Sequence, residues 1–255
     1  MYEVLSIKIL VTTPCIGIIS ALLAQGEATG PENILEGRRG FFNFFNVRDF
    51  SKVLDGLNGN FDIEKTYFKP YATCSFLIPA IDATFKVKSK HNIPPSQIQK
   101  IRVITSTLNA THNEREFENA SAARFSIPYS VALTILRGKL TPDMFTDEKV
   151  REEDLARMTK KVEVVGDAEC DALLKIGKDS AAVEVVLKNG EKYVASVEIP
   201  KGSLGMPLTD EELQTKFIDL ASLVFDAVVT RKIASTVLNT EKLTNIEDLT
   251  SLLRV

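Results

Sequence analysis

In FKPYATCSFLIPAIDA, residues 68–83, a lysine, a proline and a tyrosine are followed by a cysteine and then by an apolar helical pattern. Pro70 disfavours helical geometry in the residue before it. Lys69 is therefore expected to point from the end of a strand at the mouth of a helix. Such a junction attracts anions, because free N–H groups and the helix dipole favour negative charge and the ammonium adds a full one. A carboxylate is the natural ligand. A solvated lysine is the commoner fate of this residue type, and only the junction singles Lys69 out. The second constellation is ARFSIPYSVA, residues 123–132. Ser126 reads as a helix N-cap with Pro128 in the first turn. Tyr129 in that turn can donate its phenolic proton toward the same kind of end, or sit in the core with its hydroxyl satisfied.

Other chemistries lack their residues. No GxGxxG, phosphate loop, GxSxG or HExxH occurs. His91 and His112 are the 2 histidines, too few for a metal held by protein nitrogen. His91 lies in the polar turn KSKHNIPP and reads as solvated, while His112 lies in the charged loop NATHNERE, which could reach a pocket but is more often plain surface. Cys15, Cys74 and Cys170 are scattered and odd in number, which argues against a disulfide framework and a Cys-rich zinc site. With a net charge of −3 and no basic stripe, binding to nucleic acid is not expected. The reducing cytosol is the expected compartment, with the mitochondrion as the alternative.

The elements that must position these residues fall into three regions of a 255-residue chain that is 44% hydrophobic. Residues 1–61 open with the apolar run ILVTTPCIGIISALL. It is short for a membrane span and broken by Pro14, so it reads as a buried helix from about Ile16 to Gln25, not as an anchor or leader. GEATGPENILEG is expected to enter a helical turn, GFFNFFN to supply core phenylalanines, and residues 47–57 to form another helix. Residues 62–200 mix strands at 100–106, 162–165, 182–187 and 192–199 with helices at 75–90, 126–137 and 152–160. Asn189-Gly190 marks a hairpin. Residues 201–255 are helical, starting with Thr209 and Glu212 as a capping box on DEELQTKFIDLASLVFDAVV. Shorter helices follow near 233–238 and 246–253. The fold class is α+β.

Four stretches together resemble the MmgE/PrpD family, which includes 2-methylcitrate dehydratase and cis-aconitate decarboxylase. GIISALLAQGEATGPENILEGRRGFFNFF resembles its Gly-x-x-Ala-Ala-Leu-Leu-Ala, Thr-Gly-Pro, Leu-Glu-Gly, Gly-Phe run. FKPYATCSFLIPAIDA resembles Lys-Pro-Tyr-Pro-x-Cys-x-x-x-His-Pro-Ala-Ile-Asp-Ala, ARFSIPYSVALTILRGKLTPDMF resembles Phe-Ser-x-Pro-Tyr-x-Val-Ala, and PLTDEELQTKFIDLA resembles Pro-Leu-Ser-Asp-Glu-Glu-Leu-x-x-Lys-Phe. The resemblance implies a partial all-helical domain (1–61 and 201–255) with an α+β lid (62–200) and a site between them. It implies a lyase that dehydrates 2-methylcitrate or a related polycarboxylate, or a decarboxylase of cis-aconitate type, working without metal or organic cofactor, as a homodimer. Lys69 matches the motif lysine that holds a substrate carboxylate, and Tyr129 matches the motif tyrosine that assists proton transfer. Cys74 matches a position that is histidine in the decarboxylase, and would line the pocket or pack as an inert thiol. Arg124 and Ser126 flank the tyrosine, Ser126 as a substrate contact or as a cap. Ile78 departs from the motif histidine. The resemblance also implies a long segment ahead of Gly17, so this chain would be N-terminally truncated. It would then be impaired, a non-catalytic remnant, or one half of a split enzyme that needs a complementing chain.

Overall fold

A computed structural model describes residues 2–47, 49, 59, 62–117 and 119–254, with backbone alone for 2–11, 13, 14, 62 and 63. The chain forms two compact units, Met1–Thr66 and Tyr67–Val255.

In the first unit, helix α1 spans Tyr2–Gln25, starting well before the expected Ile16 and continuing through Pro14. Glu27 takes the left-handed position after it, with φ 67°. Ile16, Ile18, Ile19, Leu22 and Leu23 are exposed rather than buried. Apolar residues occupy every side of this helix, so a packing partner on one side would leave the rest uncovered. Residues 32–39 form turns where a helical turn was expected. A single turn, α2 (Phe41–Phe44), carries the phenylalanines. They are not core: Phe41, Phe44 and Phe45 are exposed, Phe44 at 82%, and meet tilted or edge-on with centroids 4.7 and 5.1 Å apart. The helix expected at 47–57 lies outside the described residues. No helix among the described residues is long and apolar enough to cross a membrane.

The second unit is a two-layer α+β arrangement. Strands β1 (Ile98–Thr105), β2 (Val162–Gly166), β3 (Ala181–Leu187) and β4 (Lys192–Val197) form one sheet in the order β2-β1-β3-β4. β1 and β2 are parallel, Ile101 opposite Val162, while β3 pairs antiparallel with both β1 and β4. Gly190, at φ 87°, makes the β3–β4 turn that Asn189-Gly190 signals. Helix α3 (Ile78–Lys90) packs on β3 and β4. Further on come α4 (Ala120–Ala123), α5 (Ile127–Arg137), α6 (Asp147–Val150), α7 (Glu153–Thr159) and α8 (Ala168–Lys175). Helix α5 lies against α3, α7 and β2. Every residue from Ile127 to Ile135 is buried, as expected for a helix apolar on all faces inside a core. Its polar members stay inside by bonding back one turn, as Thr134 Oγ1 does to the Ser130 carbonyl at 2.8 Å. Its C-terminus is covered by Lys88, whose Nζ donates to the Thr134 and Ile135 carbonyls at 3.0 Å each.

The C-terminal residues belong to this same unit. Thr209 and Glu212 form the expected capping box, but α9 stops at Ala221 (Asp210–Ala221). A separate helix, α10 (Ala227–Val237), follows instead of a continuation. Asp226 makes the break: its carboxylate accepts from the Val228 and Val229 N–H groups, competing with helical bonding at that position. The last helical turn, α11, spans Glu247–Thr250.

Candidate active site

The segment 67–77 is irregular up to a 3-10 turn at Ser75–Leu77, so Lys69 does not leave a strand as expected. Long-range bonds fix it instead. The Phe68 N–H donates to the Gly202 carbonyl at 3.2 Å, that of Ala72 to Leu140 at 2.9 Å, and that of Cys74 to Arg124 at 3.0 Å. The Tyr71 hydroxyl donates to Asp82 Oδ1 at 2.7 Å, and Asp82 Oδ2 accepts the Lys201 N–H at 2.7 Å. The Tyr71 ring stacks on Phe85 at 5.6 Å. Burial raises the Asp82 pKa, against the opposing pull of these two donors. The Tyr71 phenol is pushed upward by burial and then by the Asp82 charge. The tyrosine and aspartate of KPYATCSFLIPAIDA are thus two ends of one clamp, which closes on the loop after β4.

That loop carries the clamp to a second cation. Lys201 Nζ pairs with Glu212 Oε2 at 2.8 Å, and Glu212 caps α9. One turn further on α9 is Lys216. Burial lowers its pKa, and the nearby Lys69 ammonium lowers it further. Lys69 Nζ itself donates to the Thr73 carbonyl at 3.2 Å. Among the described residues no carboxylate lies within ion-pair distance of Lys69 or Lys216. Lys69 is exposed and Lys216 half-buried, so together they offer a small anion a positive field that solvent screens on the Lys69 side. Lys216 received no role from sequence, although it is the lysine of PLTDEELQTKF. Its nearness to Lys69 is a contact across the fold that local patterns do not encode.

The second constellation is used differently. Ser126 Oγ accepts the Tyr129 N–H at 3.0 Å and donates to the Glu114 carbonyl at 2.6 Å, so the hydroxyl is committed to capping α5 and tying down the preceding loop. The Ile127 N–H is taken by the His112 carbonyl at 2.9 Å and that of Ser130 by the Ser126 carbonyl at 3.1 Å. Pro128 has no N–H. The first turn of α5 therefore has no donor left for an anion. Tyr129 is buried, its hydroxyl donating to the Met144 carbonyl at 3.3 Å, its ring edge-on to Phe117 at 5.5 Å and beside Phe145 at 5.7 Å. Burial pushes the phenol up to about 12, which keeps it protonated. The Arg124 guanidinium lies over the Phe145 ring at 5.4 Å, with burial lowering its pKa. Cys74 is half-buried against the core. Lys69, Cys74 and Arg124 are linked through the 69–74 loop and the Cys74–Arg124 bond; Tyr129 bonds elsewhere.

His112, on the loop that could reach a pocket or lie on plain surface, is half-buried where the two motifs meet. Its ring lies 5.5 Å from Phe76 of the lysine motif and 6.3 Å from Phe125 of the tyrosine motif. Among the described residues no group of three or more His, Cys, Asp or Glu side chains could hold a metal ion.

The second unit is thus an α+β domain whose lysine loop is clamped to its own helix through Tyr71 and Asp82. The profile of the MmgE/PrpD C-terminal domain matches residues 71–242, and the chain belongs to that family. The chain is similar to cis-aconitate decarboxylase from Aspergillus terreus, 24% identical over 260 residues, which cover 93% of this chain and 52% of that protein. It is also similar to cis-aconitate decarboxylase from Homo sapiens, 23% identical over 250 residues, 93% of this chain and 50% of that protein. The chain thus spans about half the length of the curated relatives it matches.

Proposed function

We propose that the chain carries the carboxylate-gripping part of a lyase site for a small polycarboxylate. The observation that supports this is the Lys69–Lys216 pair, near enough for the Lys69 charge to lower the Lys216 pKa and without a carboxylate partner among the described residues. Decarboxylation of cis-aconitate is the reaction to test first, because the curated relatives bear that activity in their names. In that reaction the C–C bond to one carboxylate breaks, CO2 departs, and the electron pair left on carbon collects a proton. The ammonium groups would hold the carboxylates that stay behind, and such binding accelerates reaction to the extent that it tightens as charge develops. Dehydration of 2-methylcitrate is the second reading, favoured by Cys74 at the position where the resemblance places histidine in the decarboxylase. There a C–H proton is removed and hydroxide leaves. Tyr129, protonated and buried, would act in either reaction by supporting the wall behind Arg124 and Phe145. A homodimer or a complementing chain would supply the acid–base groups that this chain does not bring beside Lys69.

The test is calorimetric titration of the full chain with citrate and cis-aconitate, alongside CO2 release and alkene formation from 2-methylcitrate. Removing one charge-assisted contact is worth about 1.5–3 kcal/mol, so Lys69→Ala is expected to weaken citrate binding roughly ten- to a hundredfold. Wild-type protein that binds neither citrate nor cis-aconitate would sink the reading. CO2 from cis-aconitate would select decarboxylation, and water loss from 2-methylcitrate would select dehydration.

A further inference from the structure

We infer that His112 is a substrate-contact residue of this site, donating a ring N–H to a carboxylate of the polycarboxylate whose other end Lys69 and Lys216 hold. The inference rests on the polycarboxylate reading above and assigns it a specificity group.

Three observations carry it. The first is position. Thr73 accepts from Lys69 Nζ through its carbonyl, and the next residue, Cys74, donates its N–H to the Arg124 carbonyl. Phe76 and Phe125, two residues beyond Cys74 and one beyond Arg124, are the residues whose rings flank His112. A short run of contacts therefore joins the lysine loop to the histidine. The second is orientation. The His112 carbonyl is fixed by the Ile127 N–H at the start of a buried helix, and its ring is held between two aromatic faces. A ring restrained in this way loses little further freedom on binding. The third is uncommitted polarity. Among the described residues neither ring nitrogen of the half-buried His112 has a hydrogen-bond partner; in the segment that carries Lys69, the buried Thr73 hydroxyl has none either. Imidazole presents a donor in every protonation state, so the contact to a carboxylate survives at neutral pH. Phe76 and Phe125 are themselves exposed, at 39% and 48%. They leave an apolar surface over which a ligand backbone can lie between its charged ends.

The chain's 2 histidines make the test direct. His91 stacks on Tyr193 at 4.2 Å, at the far end of α3 from the motif cysteine, and serves as internal control. In histidine-labelled full-length protein, titration with citrate is expected to move the His112 ring resonances saturably and leave those of His91 in place. His112→Phe, which keeps an aromatic ring between Phe76 and Phe125, is expected to weaken citrate binding about tenfold. It should leave succinate, with one carboxylate fewer, within about twofold. Citrate binding that depends on Lys69 but leaves the His112 resonances unmoved would overturn the inference and spare the polycarboxylate reading. Failure of wild-type protein to bind citrate or cis-aconitate would overturn both. If His112→Phe does not fold, the wild-type resonances alone decide.

Discussion

Asp82 shows how a residue of a recognisable motif works by structure rather than by contact with ligand. Its two oxygens accept from Tyr71 and from the Lys201 backbone, which ties the lysine loop to the segment leading into α9. Burial raises its pKa above the unfolded value. Between the ordinary aspartate range and that raised value the folded protein binds more protons than the unfolded one. Asp82 therefore lowers stability as pH rises through this window and adds no further slope above it. Carboxylates such as Asp154 and Glu212, whose pKa values are depressed, have the opposite sign and lose their contribution as pH falls. The prediction is accordingly made on a difference. Asp82→Asn keeps an acceptor in the clamp and removes the charge. Its stability relative to wild type, measured by urea unfolding from about pH 4 to 7, is expected to improve steadily as pH rises. A difference that stays constant with pH would show that the buried charge has no such cost.

At the scale of elements, the site depends on the loop after β4. Gly202 has φ 82°, and a Cβ there would collide with the Phe68 carbonyl, the residue before Lys69. Gly202→Ala would push the lysine loop away and separate Lys69 from Lys216. It is expected to reduce citrate affinity at least as much as Lys69→Ala, while the sheet and α5 keep their circular-dichroism signature, because the atoms nearest the added Cβ belong to Phe68 and Pro70. Unchanged affinity would mean that the loop adjusts without moving the cation. The elements themselves were largely legible in the sequence wherever a local signal fixes them. Ser126 before Pro128, Gly138 after Arg137 with φ 70°, the Thr209–Glu212 box and Asn189-Gly190 each satisfy backbone groups within a few residues. The break at Asp226 is also local, but an acidic residue in an otherwise periodic run hides it. Lys216 was not legible as a site residue, and His112 only as a loop residue that could reach a pocket, because what distinguishes them is proximity between segments remote in sequence. The phenylalanines of GFFNFFN misled for a related reason: hydrophobic type indicates that burial is favourable, and only the fold decides whether a cover is present.

The whole chain pairs a well-packed second unit with a first unit whose apolar residues face outward, from Ile16 to Leu23 and again at Phe41, Phe44 and Phe45. Exposed apolar surface of this extent marks an interaction site or a liability. The same chain also has an uneven order of assembly written into its sheet. β3 and β4 meet through a turn of a few residues, whereas β1 must reach β2 across the stretch containing α4 to α7, and β3 across a longer one that also holds β2 and α8. Hairpins close in about 1–10 μs, and closing a longer loop carries a larger entropic penalty before any contact repays it. We expect the β3–β4 amides to gain hydrogen-exchange protection first during refolding and those of β1, such as Ile101 and Val103, last. Simultaneous protection of all four strands in a pulse-labelling experiment would refute that order. Until β1 arrives, one side of β3 would stay an open template for another chain, so the lifetime of that intermediate, rather than the final stability, would set how much protein survives refolding at high concentration.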